Sequence, residues 1–173
     1  GLWLHSVGCS IAASEIANKL KIADPEEISV AALLHDIGKV IMILEYQKDY
    51  EAAIGETTTA ECVIHDAEKL FFTENHTTVG MWLAKKWNFP ANLVEVIAYH
   101  HTPHLSRLAV KETAIVHLAD ILVRGRGIGF AGDSFVPLLN NAAFDTLGLS
   151  NSDIRDVLVR IEETKQVSDD MAS

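Results

Sequence analysis

Ala31-Ala32-Leu33-Leu34-His35-Asp36-Ile37-Gly38-Lys39-Val40 is the stretch on which the reading of this chain turns. A small and apolar run leads into a histidine and a carboxylate, then returns to Ile37, Val40, Ile41 and Met42. Such a run belongs in a core, where an unpartnered charge is costly or neutralises itself. Asp36 therefore needs a partner, and a metal cation is the partner that would also use the neutral imidazole beside it. A buried hydrogen-bonded His-Asp pair, or two polar residues facing water at a helix end, would satisfy the dipeptide equally well. The flanking sequence and the other histidines tip the balance towards metal.

Outward from that stretch the pattern is helical. Asp24-Pro25-Glu26-Glu27 is a helix start, with an N-cap acceptor, proline at the first position and acids in the first turn. The spacing predicts one helix from there through the decapeptide to about Leu44. Before it, Leu2, Cys9, Ala12, Ala13, Ile16, Ala17 and Leu20 predict a helix over 2–21, with His5 on its inward face. After it, Tyr46 to Ile54 reads as a shorter amphipathic piece. Thr57 to Phe72 reads as a helix that its threonines can cap. A further helix follows Asn75-His76, with Val79, Trp82, Leu83 and Trp87 on one side. It ends at Asn88-Phe89-Pro90, because the residue before proline is pushed from the α region.

Ala91 to Tyr99 closes with His100-His101, and Thr102-Pro103 breaks the chain. Lys111 to Val123 carries His117 and Asp120. Two helices, Val136 to Leu147 and Ser150 to about Gln166, precede a tail expected to fray over 167–173. The glycines between Arg124 and Asp133 follow a helix and lack the G-x-x-x-x-G-K-[ST] pattern, so a flexible surface loop is expected there. No segment alternates with period two, and no long repeat appears. The predicted fold is an all-α helical bundle, one domain over 1–173.

Of the 173 residues, 49% are hydrophobic and 22% charged, enough to bury a sizeable core. The net charge of −10 argues against a nucleic-acid partner. Cys9 and Cys62 form no C-x-x-C motif and fit a reducing compartment. With no signal peptide and no long apolar span, a cytoplasmic protein without a membrane partner is expected. The opening Gly1-Leu2-Trp3-Leu4-His5 has no initiator Met and looks like the middle of a helix, so a cut start is expected.

The chain has eight histidines. His5, His35, His76, His100, His101 and His117 lie on or beside predicted inward faces, while His65 and His104 look peripheral. The candidate ligands come from five helices, as in core metal sites of helical bundles. Nitrogen and carboxylate donors without thiolate suit iron, manganese, nickel or zinc. Asp36 and Asp120 could bridge two such ions and polarise a shared water, the two-metal logic of phosphoester hydrolysis. Bland alternatives stand beside these roles. His5 could be a core histidine, His101 could cap its helix, and His117 could orient a ligand or simply pack. Lys39 could meet a substrate phosphate or only a surface carboxylate.

At this point the sequence resembles the HDOD branch of the HD superfamily of metal-dependent phosphohydrolases. The resemblance lies in Leu2-Trp3-Leu4-His5-Ser6, Ala31 to Gly38, His76-Thr77-Thr78-Val79-Gly80, Trp87 to Pro90, Tyr99-His100-His101-Thr102-Pro103 and Val116-His117-Leu118-Ala119-Asp120. It implies an all-α domain of bacterial signalling, with regulatory partners or fused modules and one or two divalent transition metals. It also implies that 1–173 is the C-terminal part of a longer HDOD region. In the related HD-GYP phosphodiesterases, the positions of His5, His35, Asp36, His76, His100, His101 and Asp120 bind two metals. Asp36 and Lys39 would then be the catalytic candidates towards a phosphoester. The chain departs from HD-GYP after His101, reading Thr102-Pro103-His104-Leu105-Ser106 where that family has a glutamate and a D-G-x-G-Y-P segment. A regulatory domain with a metal centre is therefore expected, ahead of an active phosphohydrolase.

Overall fold

The apolar run that suggested one helix from Pro25 to Leu44 breaks at its centre. In the computed structural model, α2 (Pro25–Leu34) stops before His35, and α3 (Ile37–Glu45) starts after Asp36. Asp36 has φ −99° and ψ 13°, the sparsely populated bridge between the β and α regions. It stands at the N-cap of α3, yet its carboxylate caps no backbone amide and is buried instead. A continuous helix could not turn both polar side chains to the same interior point. Backbone is described for residues 1–172 and side chains for 1–163, so the tail expected to fray over 167–173 lies outside the described side chains.

The chain order is α1 (Leu2–Lys19), α2, α3, α4 (Gln47–Thr59), α5 (Ile64–Phe71), α6 (His76–Lys86), α7 (Ala91–Tyr99), a 3-10 turn (Pro103–Leu105), α8 (Val110–Gly125), α9 (Asn141–Leu147) and α10 (Asn151–Ala172). No strand occurs among the described residues, and the fold is all-α. No helix there is long and apolar enough to cross a membrane. Local chemistry sets several starts as read. Asp24 accepts from the Glu27 amide, with Pro25 in the first turn, and Asn75 accepts from the Thr78 amide.

α1 is the axis of packing. Its buried stripe of Cys9, Ala12, Ala13, Ile16 and Ala17 is mostly small, which lets α2, α8 and α10 lie close against it. The main core joins these residues to Ile97, Ile115, Val116, Ala119 and Val123 from α7 and α8. A satellite cluster of Met42, Tyr50, Ala53, Ile64 and Ala67 fills the space under α3, α4 and α5.

Other boundaries differ from the expectation. Thr57 and Thr59 end α4 and cap no following helix, and the Thr57 hydroxyl donates to the Ile54 carbonyl. α5 begins only at Ile64, whose amide is taken by the distant Asp133 carboxylate. α9 begins at Asn141, so 136–140 is not helical. On α6 the buried residues are His76, Thr77, Gly80 and Ala84, while Trp82 and Trp87 are half exposed. The glycine-bearing segment is no free surface loop, since it buries Ile128, Ala131 and Asp133. Gly129 has φ +68°, and a Cβ there would stand 2.3 Å from the His5 nitrogen. That glycine lets the loop lie directly on the first turn of α1.

Candidate metal centre

Gly38 explains how α3 comes close enough to build a site. A Cβ at this position would fall 1.9 Å from the His76 carbonyl oxygen and 2.7 Å from the Gly80 nitrogen. Only a residue without a side chain lets α3 touch the backbone of α6 there. The contact carries Asp36, just before α3, up to His76 at the head of α6.

Asp36 lies between two groups of donors. Its Oδ2 is 3.3 Å from His35 Nε2 and 3.7 Å from His5 Nε2. Its Oδ1 is 3.3 Å from His76 Nε2 and 3.6 Å from His100 Nε2. Asp120 on α8 closes the first group, with Oδ1 at 3.2 Å from His5 Nε2. His101 closes the second, with Nε2 at 3.2 Å from His76 Nε2. Two sets, His5-Cys9-His35-Asp120 and Asp36-His76-His100-His101, each offer donor atoms within 4.8 Å of one another and could hold a metal ion.

The tautomers follow from what lies behind each ring. His35 Nδ1–H donates to the Ala32 carbonyl at 2.6 Å, and His100 Nδ1–H to the Ile97 carbonyl at 3.0 Å. His76 Nδ1–H donates to the Glu68 carboxylate at 2.7 Å. Each ring therefore turns its Nε2 inward, the arrangement in which outer hydrogen bonds orient imidazole ligands. Among the described residues, four buried side-chain atoms have no hydrogen-bond partner: His35 Nε2, Asp36 Oδ1, His100 Nε2 and Asp120 Oδ1. An unsatisfied buried polar atom costs about 1–3 kcal/mol. Four in one space fit a donor set for a cation far better than a self-sufficient His-Asp pair.

Electrostatics support that fit. Burial would raise the Asp36 carboxyl, but the His35 and Lys39 charges hold it well below the ordinary carboxylate range. Burial acts the same way on Asp120, and is outweighed by the nearby His5 ring and the charge of Arg124. Burial pushes His100 down to about 3 and, joined by the neighbouring His100 and His76, pushes His101 well down. The Asp36 charge works the other way on His35, raising it against the effect of burial. The site thus pairs ionised carboxylates with neutral imidazoles at His100 and His101, the states that bind divalent metals.

Lys39 meets neither partner expected for it. Its ammonium is buried, donating to Asp36 Oδ2 at 2.7 Å and to the Ala131 carbonyl at 2.8 Å. His117 packs, as one reading had it: Nδ1–H donates to the His100 carbonyl, and Nε2 accepts from the Asn140 amide. Both nitrogens are used, so it braces α8 against His100. His104 is exposed. His65 accepts from the Asn75 side chain and stands beside His101, with ring centroids 4.9 Å apart. A cleft of about 530 Å³, lined by His65, Lys69, His101, Thr102 and His117 among others, opens at this edge.

Three participants were not read from the sequence. Glu68, on the buried side of α5, holds both the His76 ring and its backbone amide and accepts from the Tyr50 hydroxyl. Only its place on the apolar face of a short helix signals this. Cys9, one turn after His5, brings a sulfur into the first donor set. Glu95 on α7 takes the Ser106 hydroxyl and the amides of Arg107, Leu108 and Ala109 on one oxygen, fixing the entry to α8.

Known proteins are similar to this chain in sequence or in fold. A ribonuclease Y from Malacoplasma penetrans is 32% identical over 98 residues, 57% of this chain and 15% of that protein. A solved HDOD domain protein of unknown function from Geobacter sulfurreducens superposes with a TM-score of 0.78 at 26% identity, over 94% of this chain and 62% of that one. A solved protein from Marinobacter aquaeolei, provisionally named for signal transduction, gives 0.81 at 15% identity, over 100% of this chain and 39% of that one. That last likeness is one of fold alone. The chain spans less than two thirds of the length of each. The sequence pattern of the HDOD domain matches residues 1–103, from the first turn of α1 to the break after His101, and the chain belongs to the HDOD domain family.

Proposed function

We propose that this chain is a cytoplasmic regulatory domain built around a centre for one or two divalent transition metals, with iron, manganese, nickel or zinc as candidates. The four orphaned donor atoms carry the metal reading. His5, His35 and Asp120 would hold an ion on one side, His76, His100 and His101 on the other, with Asp36 between them. Bound there, such an ion would supply Lewis acidity and structural cross-linking of the helices. The output would pass to protein partners or to fused signalling modules.

The chain's own residues favour regulation over catalysis. Lys39 neutralises and orients Asp36, and it would have to leave both partners to reach a substrate phosphate. Of the residues that line the cleft, Lys69 is the one lysine or arginine, and it pairs with Asp66. A phosphoester needs positive groups placed for its developing charge, and this cleft is poor in them. The net charge of −10 opposes an RNA substrate in the same way.

A second reading, a phosphoester hydrolase, draws on the cleft that reaches His101 and on the likeness to ribonuclease Y. One experiment separates the two. Protein purified without chelator is analysed for metals, reconstituted, and offered nucleotides and other phosphoesters. Bound metal without turnover, cyclic di-GMP included, is expected. A turnover that disappears in Asp36→Asn would make this an enzyme, and no metal after reconstitution would end both readings.

A further inference from the structure

We propose that Cys9 is a sulfur donor to the His5-His35-Asp120 half of the centre, making that half selective for a zinc-like or iron-like ion. The inference rests on the metal reading above and deepens it. Cys9 is fully buried, one helical turn after His5 on the same face of α1. Its sulfur lies 3.5 Å from His5 Nε2 and 3.9 Å from His5 Nδ1. It belongs to a set of four donor atoms all within 4.8 Å of one another. Two others of that set, His35 Nε2 and Asp120 Oδ1, are buried without a hydrogen-bond partner, so the cysteine is not the sole pointer to a ligand.

The opposing reading is a cysteine acting as a small apolar filler. A filler needs only apolar neighbours, whereas this sulfur is within contact of an imidazole flanked by two carboxylates. The other half holds nothing comparable, offering three imidazoles and one carboxylate. Thiolate shifts preference towards zinc, iron and cobalt and away from magnesium and manganese. On binding, the S–H bond breaks, its proton leaves to solvent and the sulfur electron pair bonds the cation, with no change of oxidation state.

Cobalt(II) is the probe, because thiolate ligation gives it an intense sulfur-to-metal charge-transfer band that nitrogen and oxygen ligands lack. The full chain is titrated with cobalt(II), bound metal being measured by elemental analysis. A charge-transfer band that is kept in Cys62→Ser and lost in Cys9→Ser is expected. X-ray absorption of the zinc-loaded wild type should independently show a sulfur at ~2.3 Å. Bound metal without the band and without a zinc–sulfur shell would overturn the inference while leaving the metal reading intact. A band that survives in Cys9→Ser would overturn it as well. No bound cobalt or zinc at all would remove both.

Discussion

The two halves of the centre lie side by side across Asp36 but face different surroundings. The His5-His35-Asp120 half is built from α1, the α2–α3 break and α8, under the 126–135 loop, whose Ala131 carbonyl receives Lys39. The half with His76, His100 and His101 stands at the end of α7 and the start of α6, where His101 borders the cleft. On the metal reading, the covered half would hold its ion and the open half would exchange one or meet a ligand. One carboxylate links them, so substitutions should separate effects common to both halves from effects on one.

The largest effect is expected at the link. Asp36→Asn keeps the shape but removes the charge that both halves share, so metal content should fall towards zero in both. Lys39 also loses its buried counter-charge, and breaking such a pair costs about 3–5 kcal/mol. Elemental analysis and a thermal melt check both. Retention of one ion would show that the halves are independent. Gly38→Ala should come next, because its new Cβ would strike the His76 backbone. A loss of ~3 kcal/mol or more is expected, as for severe overpacking. Metal loss should be confined to the open half, as read by stoichiometry in the folded fraction.

Removing the ion itself tests the cross-linking role. With metal at a hundred times its dissociation constant, stripping by chelator should cost about 2.7 kcal/mol of stability. An unchanged melting temperature after verified stripping would argue against it. Glu68→Gln replaces the carboxylate behind His76 only, and should weaken metal binding about 10- to 100-fold in the open half. Equal weakening of the covered half, seen by competitive titration, would break the comparison.

The smallest effect concerns the joint between α7 and α8, which carry donors of different halves. Burial opposes ionisation of Glu95, but the Ser106 hydroxyl and three amides hold its carboxyl at about 2. A carboxyl depressed by folding adds stability that is complete above its ordinary value of about 4.5 and disappears as pH falls towards 2. Glu95→Gln should cost about 1–2 kcal/mol at neutral pH, as for a lost helix cap. It should also flatten the acid side of the stability profile over that window.

What could be read from the sequence depended on how local its cause was. The helices beginning at Asp24 and Asn75 carry their caps in adjacent residues, and their starts were legible. That the seven candidate residues converge was legible because they resemble a family pattern and sit in apolar helical context. The break at His35-Asp36 was not, since Ala31 to Val40 satisfies helical spacing throughout. Its cause is the crossing of α3 and α6, where Gly38 meets the backbone of His76 and Gly80, 38 and 42 residues further along the chain, through tertiary contact alone. Cys9 read as core, because its spacing is that of a core residue and only the fold brings Asp120 to it. Glu68 and Glu95 were silent for the same reason: a carboxylate that braces a distant helix looks, in sequence, like any solvated acid.

The most direct measurement is anomalous diffraction from crystals of the wild-type protein grown with zinc. Two peaks flanking the Asp36 carboxylate are expected, one among His5, His35 and Asp120 and the other among His76, His100 and His101. An empty space between those side chains, with zinc elsewhere or absent, would contradict the metal centre.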